Sequence, residues 1–132
     1  MRIIKFRGKT PDGIWVYGQY AGEFDNSNLG GFRGALILAP YATIVEPLTV
    51  GQFTGLTDKE GNAIYEGDII LEKLKGERKD GELLEIVFGD FEWRVKNEVG
   101  CTTSLFFLNR YHEIEVIGNI HDNPELLKGG IK

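Results

Sequence analysis

Apolar and polar residues alternate with a period of two along much of the chain, in short runs separated by glycine-bearing turns, which predicts many strands and little helix. The first run, Arg2 to Arg7, places Ile4 and Phe6 on one face. Thr10-Pro11-Asp12-Gly13 then has Pro where a type I turn favours it and Gly where the backbone must turn left-handed. Ile14 to Tyr20 returns as a strand, with Trp15 and Tyr17 on one face and Ile14, Val16 and Tyr20 on the other. A strand apolar on both sides is either fully buried or covered by a partner. Ala21 to Gly34 has no periodicity and predicts a long loop, followed by short strands at Ala35 to Ala39 and Thr43 to Val45 around Pro40.

Val50 to Ile70 reads as a hairpin closed by Asp58-Lys59-Glu60-Gly61, in which Asp58 bonds the turn backbone and Gly61 supplies positive φ. Gly67 is a second special backbone position, after which Asp68 to Glu72 forms a strand, and Lys73 to Gly81 is a polar loop. Leu83 to Phe88 and Phe91 to Val95 fit a hairpin with Gly89-Asp90 as a type II′ turn. That turn pairs Phe88 with Phe91, Ile86 with Trp93 and Leu84 with Val95 on one face, and Glu85 with Arg94 and Val87 with Glu92 on the other. Leu105 to Leu108 and Glu113 to Ile117 predict two more strands. Asn123-Pro124-Glu125 predicts the start of a short helix, ended by Gly129-Gly130.

Length and composition narrow the class. A chain of 132 residues suits one domain, with lobes at 1–46 and 47–122 and a terminal helix at about 123–128. At 42% apolar and 27% charged residues it is an ordinary globular composition, and no apolar run approaches the roughly 18 residues of a spanning helix. With no apolar stretch after the basic N-terminus, a cytoplasmic protein is expected. The single Cys101 leaves no internal disulfide framework. A net charge of −5 argues against non-specific phosphate binding.

The candidate chemistry is sparse. Asp58, Glu60, Glu66 and Asp68 cluster in the sequence but belong to different turns, without the alternating spacing of a calcium loop. Of these, Asp68 enters an apolar strand and must find donors if buried. His112, His121 and Cys101 lack zinc-ligand spacing, and neither Ser27 nor Ser104 sits in a nucleophile elbow. Gly30-Gly31-Phe32-Arg33-Gly34 lacks the Gly-Lys-Ser/Thr ending and following helix of a phosphate loop. Lys73 to Lys79 is a basic patch diluted by Glu72, Glu77 and Asp80. Of the aromatic set Trp15, Tyr17, Phe53, Tyr65, Phe91, Trp93, Phe106 and Phe107, most are expected in the core.

Three blocks in order, Ile4-Lys5-Phe6-Arg7-Gly8, Val50 to Ile70 and Glu115 to Leu127, make the chain resemble the YopX family of small proteins encoded by phages and prophages. The resemblance implies a mainly β fold, an SH3-like small barrel or roll with additional N-terminal strands and a short C-terminal helix, and a tendency to self-associate. It carries no catalytic, cofactor or metal residues over to this chain. The expectation is a non-catalytic, oligomeric accessory module that binds a host or phage protein, with Trp15, Tyr17 and Arg33 as partner contacts. A nucleic-acid-binding barrel is the first alternative, and a metal-dependent enzyme using Glu66 and Asp68 the second.

Overall fold

The structure, a computed structural model, describes residues 4–26, 32–74 and 81–127. Among the described residues eleven strands, one α-helix and two short 3₁₀ turns follow in chain order. They are β1 (Phe6–Lys9), β2 (Trp15–Asn26), β3 (Phe32–Leu38), β4 (Ala42–Val45), β5 (Gly51–Thr57), β6 (Ala63–Tyr65), β7 (Asp68–Leu74), β8 (Glu82–Gly89), β9 (Glu92–Lys96), β10 (Thr102–Ser104), α1 (Leu105–Tyr111) and β11 (His112–Asn119). The 3₁₀ turns are Pro47–Thr49 and Pro124–Leu126. The strands form two antiparallel sheets in the orders β4-β3-β2-β1-β5-β6 and β10-β9-β8-β7-β11. Both are open, so the mainly β expectation holds, whereas the closed small barrel gives way to two sheets with free edges.

The chain divides into two units, Met1–Phe53 and Thr54–Lys132, and the division falls within β5. In the first unit β1 pairs with β2 (Arg7 opposite Tyr17, Lys9 opposite Trp15), and β2 pairs with β3 and β3 with β4. The long loop expected over Ala21 to Gly34 is largely strand: β2 runs to Asn26 and β3 starts at Phe32, with a bulge between Tyr20 and Gly22 where Gly22 has φ +105°. The density of Asp, Asn and Gly hid this pairing. One sheet face buries Ala35, Ile37 and Val45, with Phe6, Val16, Ala39 and Val50 packed against them. Gly8 is required there, because a Cβ would sit 2.6 Å from Val45 Cγ2. Thr49 ties this face down, accepting from Lys9 N at 2.8 Å and donating to Glu46 O.

The second unit has the larger core: Ile64, Ile70, Leu84, Ile86, Val95, Leu105, Leu108 and Ile114 form one buried cluster. Leu105 to Leu108 is helix rather than strand. Leu105 and Leu108 point inward at the i, i+3 spacing of a helix, Phe106 and Phe107 point outward, and Ser104 caps by accepting from Phe107 N. The expected terminal helix is a single 3₁₀ turn. Asn123 does not cap it; its Oδ1 accepts instead from Asn119 N at 3.2 Å. Gly129 and Gly130 lie outside the described residues.

The β8–β9 hairpin turns one residue later than its sequence suggests. Gly89 pairs with Glu92, so the loop is Asp90-Phe91, and Phe88 lies opposite Trp93 and Ile86 opposite Val95. Relative to the expected pairing each residue moves by two along its partner strand, and a shift of two keeps every side chain on its own face. Leu84, Ile86 and Val95 are buried and Trp93 is half-buried as that face requires, whereas Phe88 stands largely exposed near the tip and Phe91 leaves the ladder. Glu85 accordingly meets Lys96 (3.7 Å) in place of Arg94.

Candidate functional site

The four clustered acids do not converge. The Asp58 carboxylate accepts from Glu60 N (2.9 Å), Asn62 N (2.8 Å) and Asn62 Nδ2 (3.3 Å), closing the turn in which Gly61 has φ +84°. It also accepts from Val116 N at 2.9 Å, which fixes the hairpin tip to β11. Burial pushes the Asp58 carboxyl up, but these hydrogen bonds together outweigh burial and hold it below the ordinary carboxylate value of 3.8. Asp68 is buried and accepts from Tyr65 N at 2.7 Å, across the turn where Gly67 has φ +89°. Both acids therefore serve the backbone, and among the described residues no three His, Cys, Asp or Glu side chains come together as a metal site. Ser104 is a helix cap, and Cys101 is exposed. Ser27 and Lys75 to Lys79 lie outside the described residues.

One titratable pair was invisible to sequence spacing. Glu72 and His112, forty residues apart, meet through Glu72 Oε1 and His112 Nδ1, both largely buried. His112 is also the C-cap of α1, so the pair links β7 to the end of the helix. It acts as a structural tie.

The surface with the most chemistry is the outer face of the first unit's sheet, opposite its buried side. Strand alternation and register put Arg7 and Lys9, Trp15 and Tyr17, Gln19, Leu36 and Leu38, and Ile44 on this one face. Arg7 stacks on the Trp15 ring at 4.7 Å, Lys9 lies 5.9 Å from the same ring, and Lys5 lies 5.9 Å from Tyr17. Lys5 and Lys9 thus cover one end of the face, with Arg7 buried between them. Toward β4 it becomes apolar: Tyr17 is 46% exposed, Leu38 39% and Ile44 42%. Phe24 lies across Gly34, where a Cβ would meet its ring at 2.8 Å, and the same Cβ would lie 3.3 Å from Ile44.

Of the expected contacts, Trp15 and Tyr17 sit together here. Arg33 lies in β3 with its backbone opposite Asp25, one position out of phase with Gly34 and Leu36; its side chain is outside the described residues. Among the other aromatics only Tyr65 is fully buried, while Phe91, Phe106 and Phe107 are exposed. The excess of acid is also local. Residues 1–53 carry five basic and four acidic side chains, against ten and sixteen in 54–132. The overall charge therefore says little against anionic partners at the first unit. No described helix is long and apolar enough to cross a membrane.

Comparison with known proteins places this architecture. The chain is similar to the solved structure of protein EF1440 from Enterococcus faecalis, with a TM-score of 0.59 and 26% identity over 97% of this chain and 100% of that one. It is also similar to that of protein yopX from Bacillus subtilis, with a TM-score of 0.60 and 22% identity over 100% of both chains, a likeness of fold. No curated protein matches significantly. The model of the YopX protein family matches residues 5–128, and with both sheets inside that span the chain belongs to the YopX family.

Proposed function

We propose that the protein is a non-enzymatic accessory module of phage or prophage origin that works in the host cytoplasm through protein contacts, beginning with further copies of itself. The observation that carries this reading is the outer face of the first unit's sheet, where Tyr17, Leu38 and Ile44 are each about two-fifths exposed beside half-buried Trp15 and Leu36. Apolar surface of this kind marks interaction sites in soluble proteins, and Tyr and Trp are among the residues interface centres favour. Of the clustered acids, Asp58 and Asp68 accept from backbone amides and hold turns.

Light scattering on the eluting full-length chain tests the reading. An oligomer at tens of micromolar is expected, with Tyr17→Glu shifting it toward monomer. A wild-type monomer at that concentration would sink it. A second reading, single-stranded nucleic acid stacked on this face, draws on the cations Lys5 and Lys9 beside Tyr17 and Trp15. It requires binding that falls steeply with salt in a filter assay, and retention no better than background at low salt removes it.

A further inference from the structure

The tip of the β8–β9 hairpin is built against local preference. Asp90 and Phe91 both have positive φ, +51° and +65°. A two-residue hairpin loop of this hand suits the twist of its strands, but its relaxed form has Gly at the second position. A bulky residue with positive φ is an outlier, and strain of that kind persists where a side chain is needed for something else. Phe91 does not pack within the chain, being 98% exposed. Its base is firm, because Phe88 meets Trp93 edge-on at 5.1 Å and 76°. Its rim is acidic, since Asp90 and Glu92 share the one Arg94 at 3.9 and 2.9 Å. The tip is thus an apolar knob with an acidic collar.

We infer that the occupant of the first unit's outer face is this knob from a second copy of the chain. The inference rests on the self-association proposed above and names the element that fills the face. The two surfaces complement one another: Phe91 meets the apolar strip of Phe24, Leu36, Leu38 and Ile44, while Asp90 and Glu92 approach Lys5 and Lys9. The charge asymmetry supports the same pairing, because the knob belongs to the strongly acidic unit and the face to the one with a basic excess. Two faces laid against each other would instead bring the Lys5 and Lys9 of both copies into one interface, where strands β1 to β4 place no acid among the described residues and only Glu46, just after β4, lies beside Lys9. The contact is heterologous, each copy giving a knob and receiving one.

Mixing separates this arrangement from its rivals. Phe91→Gly and Ile44→Glu, measured singly by light scattering, each weaken association by about tenfold or more, as loss of a central anchor does. Mixed in equal amounts they recover a heterodimer, since one copy keeps its face and the other its knob. Phe91→Gly alone also raises the unfolding temperature, because Gly accepts the positive φ that Phe resists. Lys5→Glu weakens association, and Glu92→Lys in the mixed partner restores it; Lys5 is exposed, so this pair reports even where Ile44→Glu fails to fold. If Phe91→Gly associates like the wild type while Ile44→Glu does not, the knob is wrong and the face stands. If both singles are weak and neither mixture recovers, knob and face do not meet each other and the inference falls. A wild-type monomer overturns this inference and the proposed function together.

Discussion

In residues 54–132 eight apolar side chains from five strands and α1 close into a single buried cluster, whereas among the described residues of 1–53 the buried apolar set is Ala35, Ile37 and Val45. The second unit also anchors its turns with buried carboxylates, Asp58 and Asp68, each bonded to backbone amides. The first unit leaves Tyr17, Leu38 and Ile44 partly in water on the far side of its sheet. The difference teaches where to look for function. Apolar residues spent on a core explain themselves by stability, whereas those left exposed on a regular sheet face need another account.

The sharpest way to break this comparison is a pair of truncations. Ile70 is completely buried in the second unit's cluster, so Ile70→Ala is expected to destabilise by about 3–4 kcal/mol through lost burial and the cavity left behind. Ile44→Ala on the outer face is expected to change the monomer's stability by less than about 0.5 kcal/mol, as exposed substitutions do. Urea unfolding at a concentration low enough to keep the chain monomeric measures both. Comparable losses would mean that the outer face is part of a core, and the contrast between the units would disappear.

Asp58 gives the next largest effect and adds a pH signature. Asp58→Ala leaves the Val116, Asn62 and Glu60 amides without their acceptor and is expected to cost about 2–3 kcal/mol. Because the folded carboxyl titrates below its unfolded value, its contribution is fully present above the unfolded value near 3.8. It is lost as pH falls through the lower folded value. Thermal unfolding from pH 6 down to pH 2.5 should therefore show a steeper acid loss in the wild type than in Asp58→Asn. Parallel curves would show that the carboxylate's charge is not what holds the turn to β11.

What could be read from the sequence divides along the same physical line. Local turn chemistry was legible: Asp58 to Gly61 and the special backbone at Gly67 follow from short-range hydrogen bonding and positive φ. The face of each β8 and β9 residue was legible too, because period two fixes it under any even shift. The turn that sets the shift was not, since Gly89-Asp90 and Asp90-Phe91 both form two-residue loops and only tertiary packing of Ile86 against Val95 separates them. Contacts between distant segments left no local trace: Val116 N on Asp58, or His112 on Glu72. Of the candidate site, the shared face of Trp15 and Tyr17 was legible. Its aliphatic extension through Leu36, Leu38 and Ile44 required the β2–β3–β4 register.

Leu105 to Leu108 shows how small a term decides an ambiguous run, and it carries the smallest prediction. Four consecutive apolar residues suit a buried strand as well as a helix. Ser104 ahead of the run and Arg110 in the last turn are both helix signals, one a cap and the other a cation near the C-terminus. The cap is long, 3.4 Å from Ser104 Oγ to Phe107 N, and exposed, so Ser104→Ala is expected to destabilise by only about 0.5 kcal/mol. Most of the helix's stability then comes from Leu105 and Leu108 in the second unit's cluster, and Leu105→Ala should exceed the cap mutation several-fold. Hydrogen exchange of the α1 amides in the two variants measures this directly. A cap effect equal to that of Leu105→Ala would mean that local signals, rather than the buried cluster, choose the helix.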